Sequence, residues 1–186
     1  MYVFRMKLIL ILITFNTVFG IVFGLFWDPG YLFETAYSLA QRGQRAEAIA
    51  VYDQLINFHP DYCPQAYYNR GNSKCYLGDL SGALDDYETA IKLNPNYSMV
   101  YMGRAFVKAY RGQDEEAIAD NTKAIALNPW HKEAFFNRGC VYMSIGKDAA
   151  ALRDFKSALN IDPNFSSALI NIEQINQSRQ VSGSRI

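Results

Sequence analysis

Cysteine and histidine are scarce in this sequence, with three of one and two of the other among 186 residues. Cys63, Cys75 and Cys140 are an odd number at spacings of 12 and 65, with no CxxC, which excludes a disulfide framework and a zinc site. His59 and His131 have no ligand set beside them, so neither a metal nor a general-base role is expected. A surplus of charge is also missing. The 18 basic side chains are balanced by 18 acidic ones, which leaves no electrostatic footprint for nucleic acid. Phosphate-binding glycine loops, a nucleophile elbow and a catalytic carboxylate pair are absent as well. The expectation is a noncatalytic chain without metal or cofactor.

Apolar residues are plentiful. They make up half the chain, and 27 residues are aromatic, so the chain is not intrinsically disordered. One stretch stands apart. From Leu8 to Trp27 about 20 residues carry no charge, which as a helix would span about 30 Å of hydrocarbon. Arg5 and Lys7 precede it, and Trp27 suits the membrane–water interface. We expect residues 1–28 to be a basic amino terminus and a single transmembrane signal-anchor helix. By the positive-inside rule the amino terminus stays cytoplasmic and the rest is translocated. Val18-Phe19-Gly20 also fits signal-peptide cleavage, which would release a soluble secreted product. Gly20 and Gly24 form a GxxxG spacing through which two such helices could meet in a homodimer, although glycine is common in membrane helices.

Beyond Trp27 the prolines set a period. Pro60, Pro95, Pro129 and Pro163 are spaced 35, 34 and 34 apart. Gly43, Gly78, Gly112 and Gly146 each stand 17 residues before a proline, where a left-handed residue ends a first helix. Ala48, Ala83, Ala117 and Ala151 stand 12 before it, where two helices cross closely. Tyr52, Tyr87 and Phe155 stand eight before it and fill the space beside the alanine, with Asn121 as the exception. The residue preceding each proline ends the second helix, because proline disfavours helix in its predecessor. A single helical hairpin cannot bury its apolar face alone, but a stack of them shares a core.

These residues resemble the tetratricopeptide repeat family. The stretches YYNRGNSKCYLGDLSGALDDYETAIKLNPN and FFNRGCVYMSIGKDAAALRDFKSALNIDPN carry the signature throughout. The resemblance implies an all-α solenoid of four hairpins, about 29–62, 64–97, 98–131 and 132–165. A capping helix at 166–179 closes this 29–179 domain, and a flexible tail follows at 180–186. Departures are Lys74 and Lys108 where an aromatic or apolar residue is usual, Asn121, and an extra residue near Cys63. Asp28 is expected to cap the first helix with Pro29 in its first turn, leaving almost no linker after Trp27. The sequons at Asn96 and Asn164 fall where helix caps belong, and capping is the preferred reading.

Arg70, Arg104 and Arg138 share one repeat position, and Asp86, Asp120 and Asp154 follow each by 16 residues. The first hairpin lacks both members, with Thr35 and Val51 in their places. Joint presence and joint absence point to structural ion pairs. The resemblance implies an inner face lined by first helices, with a partner-binding groove at Phe33, Tyr37, Tyr68, Asn72, Met99, Met102, Phe106, Phe136 and Met143. Such an apolar face marks an interface for another protein or peptide, unless the chain's own capping helix, tail or membrane segment covers it. Family members that clamp an acidic chaperone tail use basic residues where this chain has none, so that mode is not expected. Lacking a linker, the array would sit against the membrane, which suits a membrane-embedded partner of the kind that assembly factors serve. Self-association through the same face is the structural alternative.

Overall fold

Helix, glycine turn, helix, proline turn: this sequence of events repeats along the chain. The computed structural model describes residues 28–183. Four hairpins follow one another, α1 (Pro29–Gln41) with α2 (Arg45–Phe58), α3 (Pro64–Tyr76) with α4 (Leu80–Leu93), α5 (Ser98–Tyr110) with α6 (Asp114–Leu127), and α7 (Lys132–Ser144) with α8 (Asp148–Ile161). A last helix, α9 (Ser166–Gly183), packs on α8. The predicted anchor at 8–27, with Gly20 and Gly24, lies outside the described residues. Among the described residues no helix is long and apolar enough to cross a membrane.

Each turn inside a hairpin is the same device. Gly43, Gly78, Gly112 and Gly146 have φ of +81°, +89°, +74° and +72°. The N–H of each glycine reaches back three residues, and the next N–H reaches back five, as Gly43 to Ala40 and Gln44 to Leu39 do at 3.0 Å. This is a Schellman cap, which satisfies the last carbonyls of the first helix and needs a left-handed residue.

The turns between hairpins use a side chain that the proline period does not reveal. Asn94, Asn128 and Asp162 precede their prolines, and their Oδ1 atoms accept from the N–H of Asn96, Trp130 and Asn164 at 3.0–3.1 Å. The sequons were expected to work as caps. Instead, Tyr97 holds the N-cap position of α5 without a side-chain bond, and the preceding Asn or Asp closes the turn. At the start of the array Asp28 does cap, accepting from Tyr31 N–H at 2.7 Å with Pro29 in the first turn.

Ala48, Ala83, Ala117 and Ala151 are fully buried at the helix crossings, as are Leu55, Ala90, Ala124 and Ala158 two turns later. The rings of Tyr87 and Phe155 lie against the facing helix so closely that a Cβ on Gly71 or Gly139 would sit 2.8 or 2.7 Å from them. Successive first helices α1, α3, α5 and α7 touch along one face. The sequence places the end of the capping helix at 179 and a tail at 180–186, of which 184–186 lie outside the described residues. Helix α9 continues to Gly183, because no proline or glycine interrupts it before that residue.

Candidate functional site

Three cavities run along the face made by the first helices. The largest, about 730 Å³, lies between α3 and α5 and is lined by Tyr68, Asn72, Cys75, Met102, Gly103, Phe106 and Tyr110, with Tyr87 from α4 and Asn137 from α7. The next, about 400 Å³, lies between α5 and α7 and shares Phe106, Tyr110 and Asn137. A third, about 240 Å³, lies between α1 and α3 and shares Asn72 and Tyr76 with the first. The shared walls join them into one groove. Helical spacing explains the lining, since Tyr68, Asn72 and Tyr76, like Met102, Phe106 and Tyr110, recur every fourth residue on one helical stripe.

Six of the nine groove residues expected from sequence line these cavities: Tyr37, Tyr68, Asn72, Met102, Phe106 and Phe136. Their exposure differs. Phe106 is 59% exposed and offers its ring to solvent, whereas Met102 is 9% exposed and forms floor. Asn72 is already engaged, because Tyr87 Oη donates to its Oδ1 at 2.8 Å. Tyr68 packs edge-on to Tyr97 with centroids 5.3 Å apart, and burial pushes its phenol pKa up.

The other three sit elsewhere. Phe33 stacks on Tyr37 and meets Tyr52 edge-on, and so belongs to the wall of the first hairpin. Met99 packs on the small cluster of Tyr101, Met102, Ala124 and Ala134. Met143 packs on the cluster that α8 and α9 form with Ala151, Phe155, Ala168 and Ile175. Phe136 packs on that cluster too, and Asn171 of α9 donates to Cys140 Sγ at 3.5 Å. The capping helix therefore closes the carboxy-terminal end of the groove.

The Arg–Asp positions meet in the same way three times. Arg70 donates through Nε and Nη2 to Asp86, Arg104 to Asp120, and Arg138 to Asp154, at 2.5–2.9 Å. Each is a two-pronged pair with a nearly buried carboxylate. Burial opposes the Arg70 charge, but the hydrogen bonds and charge of Asp86 and then Asp53 outweigh it and raise its pKa. For Arg104 and Arg138 the bond to the aspartate is the leading cause of the same rise.

Sequence reasoning missed the second cation. Lys74 reaches Asp86 and Lys108 reaches Asp120, each at 2.9 Å. The signal was available, as each lysine stands four residues after its arginine and therefore on the same helix face. In the fourth hairpin that position is Tyr142, so Arg138 holds Asp154 alone among the described residues. Lys132, the remaining cation of the first helices, is 2.6 Å from Asp162. Arg45, at the start of α2, lies over the Tyr76 ring at 3.4 Å.

Cys63, Cys75 and Cys140 are free and half-buried, and burial raises each thiol pKa, which lowers its reactivity. No group of three or more His, Cys, Asp or Glu that could hold a metal occurs among the described residues.

Three stretches, 31–62, 64–97 and 132–165, match the tetratricopeptide repeat. No curated protein matches the sequence. Among solved structures, MamA 41-end from Desulfovibrio magneticus RS-1 is similar at 19% identity and a TM-score of 0.72, covering 82% of this chain and 86% of that one. TTC0263, a thermophilic TPR protein of Thermus thermophilus, is similar at 23% identity and a TM-score of 0.71, covering 81% and 82%. The first TPR of Spaghetti (RPAP3), bound to the HSP90 peptide SRMEEVD, is similar at 23% identity and a TM-score of 0.61, covering 63% and 93%. At these identities the likeness is one of fold.

Proposed function

As this chain belongs to the tetratricopeptide repeat family, we propose that it is a noncatalytic adaptor that holds a partner polypeptide in its apolar groove. The observation that carries this reading is the chemistry of the groove. The two larger cavities are lined mainly by aromatic, aliphatic and sulfur-bearing side chains, the third between α1 and α3 is more polar, and among the described residues every cation of the first helices is paired with a carboxylate. Exposed rings in a continuous concavity suit an apolar stretch of a partner. They do not suit an acidic one. The peptide on the first TPR of Spaghetti carries three carboxylate side chains, whereas the cation lining these three cavities is Arg45 alone, stacked on the Tyr76 ring.

The partner works at a membrane. We propose that residues 8–27 anchor the chain in that membrane, with the amino terminus cytoplasmic and the array on the translocated side. The absence of a linker between Trp27 and α1 keeps the groove at the membrane surface, where an embedded partner presents its apolar segments.

The test is a photo-crosslinking residue at Phe106, the exposed ring shared by the two larger cavities, in the full-length chain in its native host. Crosslinks to a distinct membrane polypeptide are expected. Crosslinks only within the chain, or to a second copy, would reduce the groove to a packing surface. A mature amino terminus beginning after Gly20 would remove the anchor from the account.

A further inference from the structure

The third hairpin breaks the pattern at one buried position. Where the others hold Tyr52, Tyr87 or Phe155, it holds Asn121, which is 1% exposed. Its Nδ2 donates to the Ala117 carbonyl one turn earlier at 3.1 Å. Its Oδ1 is buried with no hydrogen-bond partner among the described residues. A buried acceptor left without a donor is costly to a fold, and its presence asks for a reason. Asn121 also forms part of the lining of the cavity of about 400 Å³ between α5 and α7, walled by Phe106, Tyr110, Phe136 and Cys140. The hairpin thus has an unpaired acceptor beside a cavity of the groove at the place where its neighbours have a ring.

Resting on the groove reading above, we propose that this cavity is a subsite for one aromatic side chain of the partner that carries a hydrogen-bond donor, a tyrosine or tryptophan. Its ring packs between Phe106 and Phe136, and its O–H or N–H pairs with Asn121 Oδ1, which the side chain turns out of its buried position to meet. The second hairpin contains the same contact within one chain, where the Tyr87 phenol donates to the Asn72 carboxamide at 2.8 Å. Other side chains fit less well. An aliphatic group would cover the acceptor without pairing it. A carboxylate would meet no cation, since the charged group lining this cavity is Asp114. An ammonium would exchange its hydration for one amide oxygen among rings.

The test needs no knowledge of the partner. The full-length chain is titrated with 4-methylphenol and with toluene, the same ring without the donor, while the Asn121 side-chain amide is followed by NMR. 4-Methylphenol should shift that amide and bind about three- to tenfold more tightly than toluene, the range that one net hydrogen bond supplies. Asn121→Leu keeps a branched side chain and removes the acceptor. It should lose the preference and bind toluene at least as tightly as 4-methylphenol, whose hydroxyl would be buried unpaired. Equal affinities in the wild type overturn the proposal, and that comparison decides the matter even if the variant fails to fold. A preference that survives Asn121→Leu overturns it as well. So does an Asn121 amide that neither probe moves, including one held by contacts to residues 1–27 or to a second copy. The Phe106 crosslink does not depend on Asn121, so loss of the subsite and loss of the groove are separate results.

Discussion

The second and third hairpins share a frame and differ in what fills it. Both have the Schellman glycine, the buried crossing alanine, the Asn-Pro turn and an aspartate held by arginine and lysine. In the second, the Tyr87 ring lies on Gly71 and belongs to a large cluster with Tyr52, Leu55 and Tyr67. In the third, Asn121 and Ala105 stand in the places of that tyrosine and glycine; Val100 and Val107 still join the large cluster, but the remaining apolar contacts form two small clusters around Met102 and Val141. Both hairpins nevertheless form the same two helices. The frame residues, which cap, cross and pair, therefore set the hairpin's geometry, while the ring decides how much apolar surface it buries.

The largest effect is expected from giving the second hairpin the third one's filling. Tyr87→Asn removes a fully buried ring and leaves a void against Gly71, so urea denaturation should show a loss of about 3–5 kcal/mol. A loss below about 1 kcal/mol would mean that the frame alone holds the hairpin.

The charged pairs sharpen the comparison next. Arg138→Ala leaves the nearly buried Asp154 without a cation and should cost about 2–3 kcal/mol. Arg104→Ala leaves Lys108 at 2.9 Å from Asp120 and should cost about 1 kcal/mol. Equal losses in the two denaturation curves would show that the lysine contributes nothing.

The smallest effect at neutral pH becomes visible in alkali. Burial raises the phenol pKa values of Tyr52 and Tyr87, and that of Tyr97 is pushed up to about 12. The folded chain thus keeps protons that the unfolded chain releases near pH 10. Stability from these groups is intact below about pH 10 and falls as pH rises through about 12. Tyrosinate absorbance and helicity should change together there. Phenols that ionise near pH 10 with helicity unchanged would show that the first two hairpins admit water.

Much of this was legible because a repeat states its rules several times. Four prolines and four glycines at fixed offsets locate the hairpins, and the joint loss at Thr35 and Val51 exposes Arg and Asp as partners. Other features depend on distances that spacing does not carry. Lys74 and Lys108 looked like flaws in an apolar stripe until the aspartates were seen between the cations. Asn94, Asn128 and Asp162 looked like companions of proline, yet each closes a turn itself. The partial burial of Met143 and Phe136 against α9 depends on where a non-repeating helix lands. Asn121 was visible only as an exception, and its meaning rests on an unpaired oxygen and the cavity beside it.

The arginines also act as joints between units. Arg70 reaches out of its own hairpin to Asp53 of the preceding one at 2.6 Å, and Arg138 reaches the hydroxyl of Thr122 at 2.8 Å. Asp53 is half exposed, so this outward bond lies within reach of dissolved ions, while the inward bond to Asp86 does not. Salt should therefore loosen the angle between the first and second units before it weakens either, while the joint at the uncharged Thr122 should not respond. The width of the inner face at its amino-terminal end thus becomes a property tuned by ionic strength.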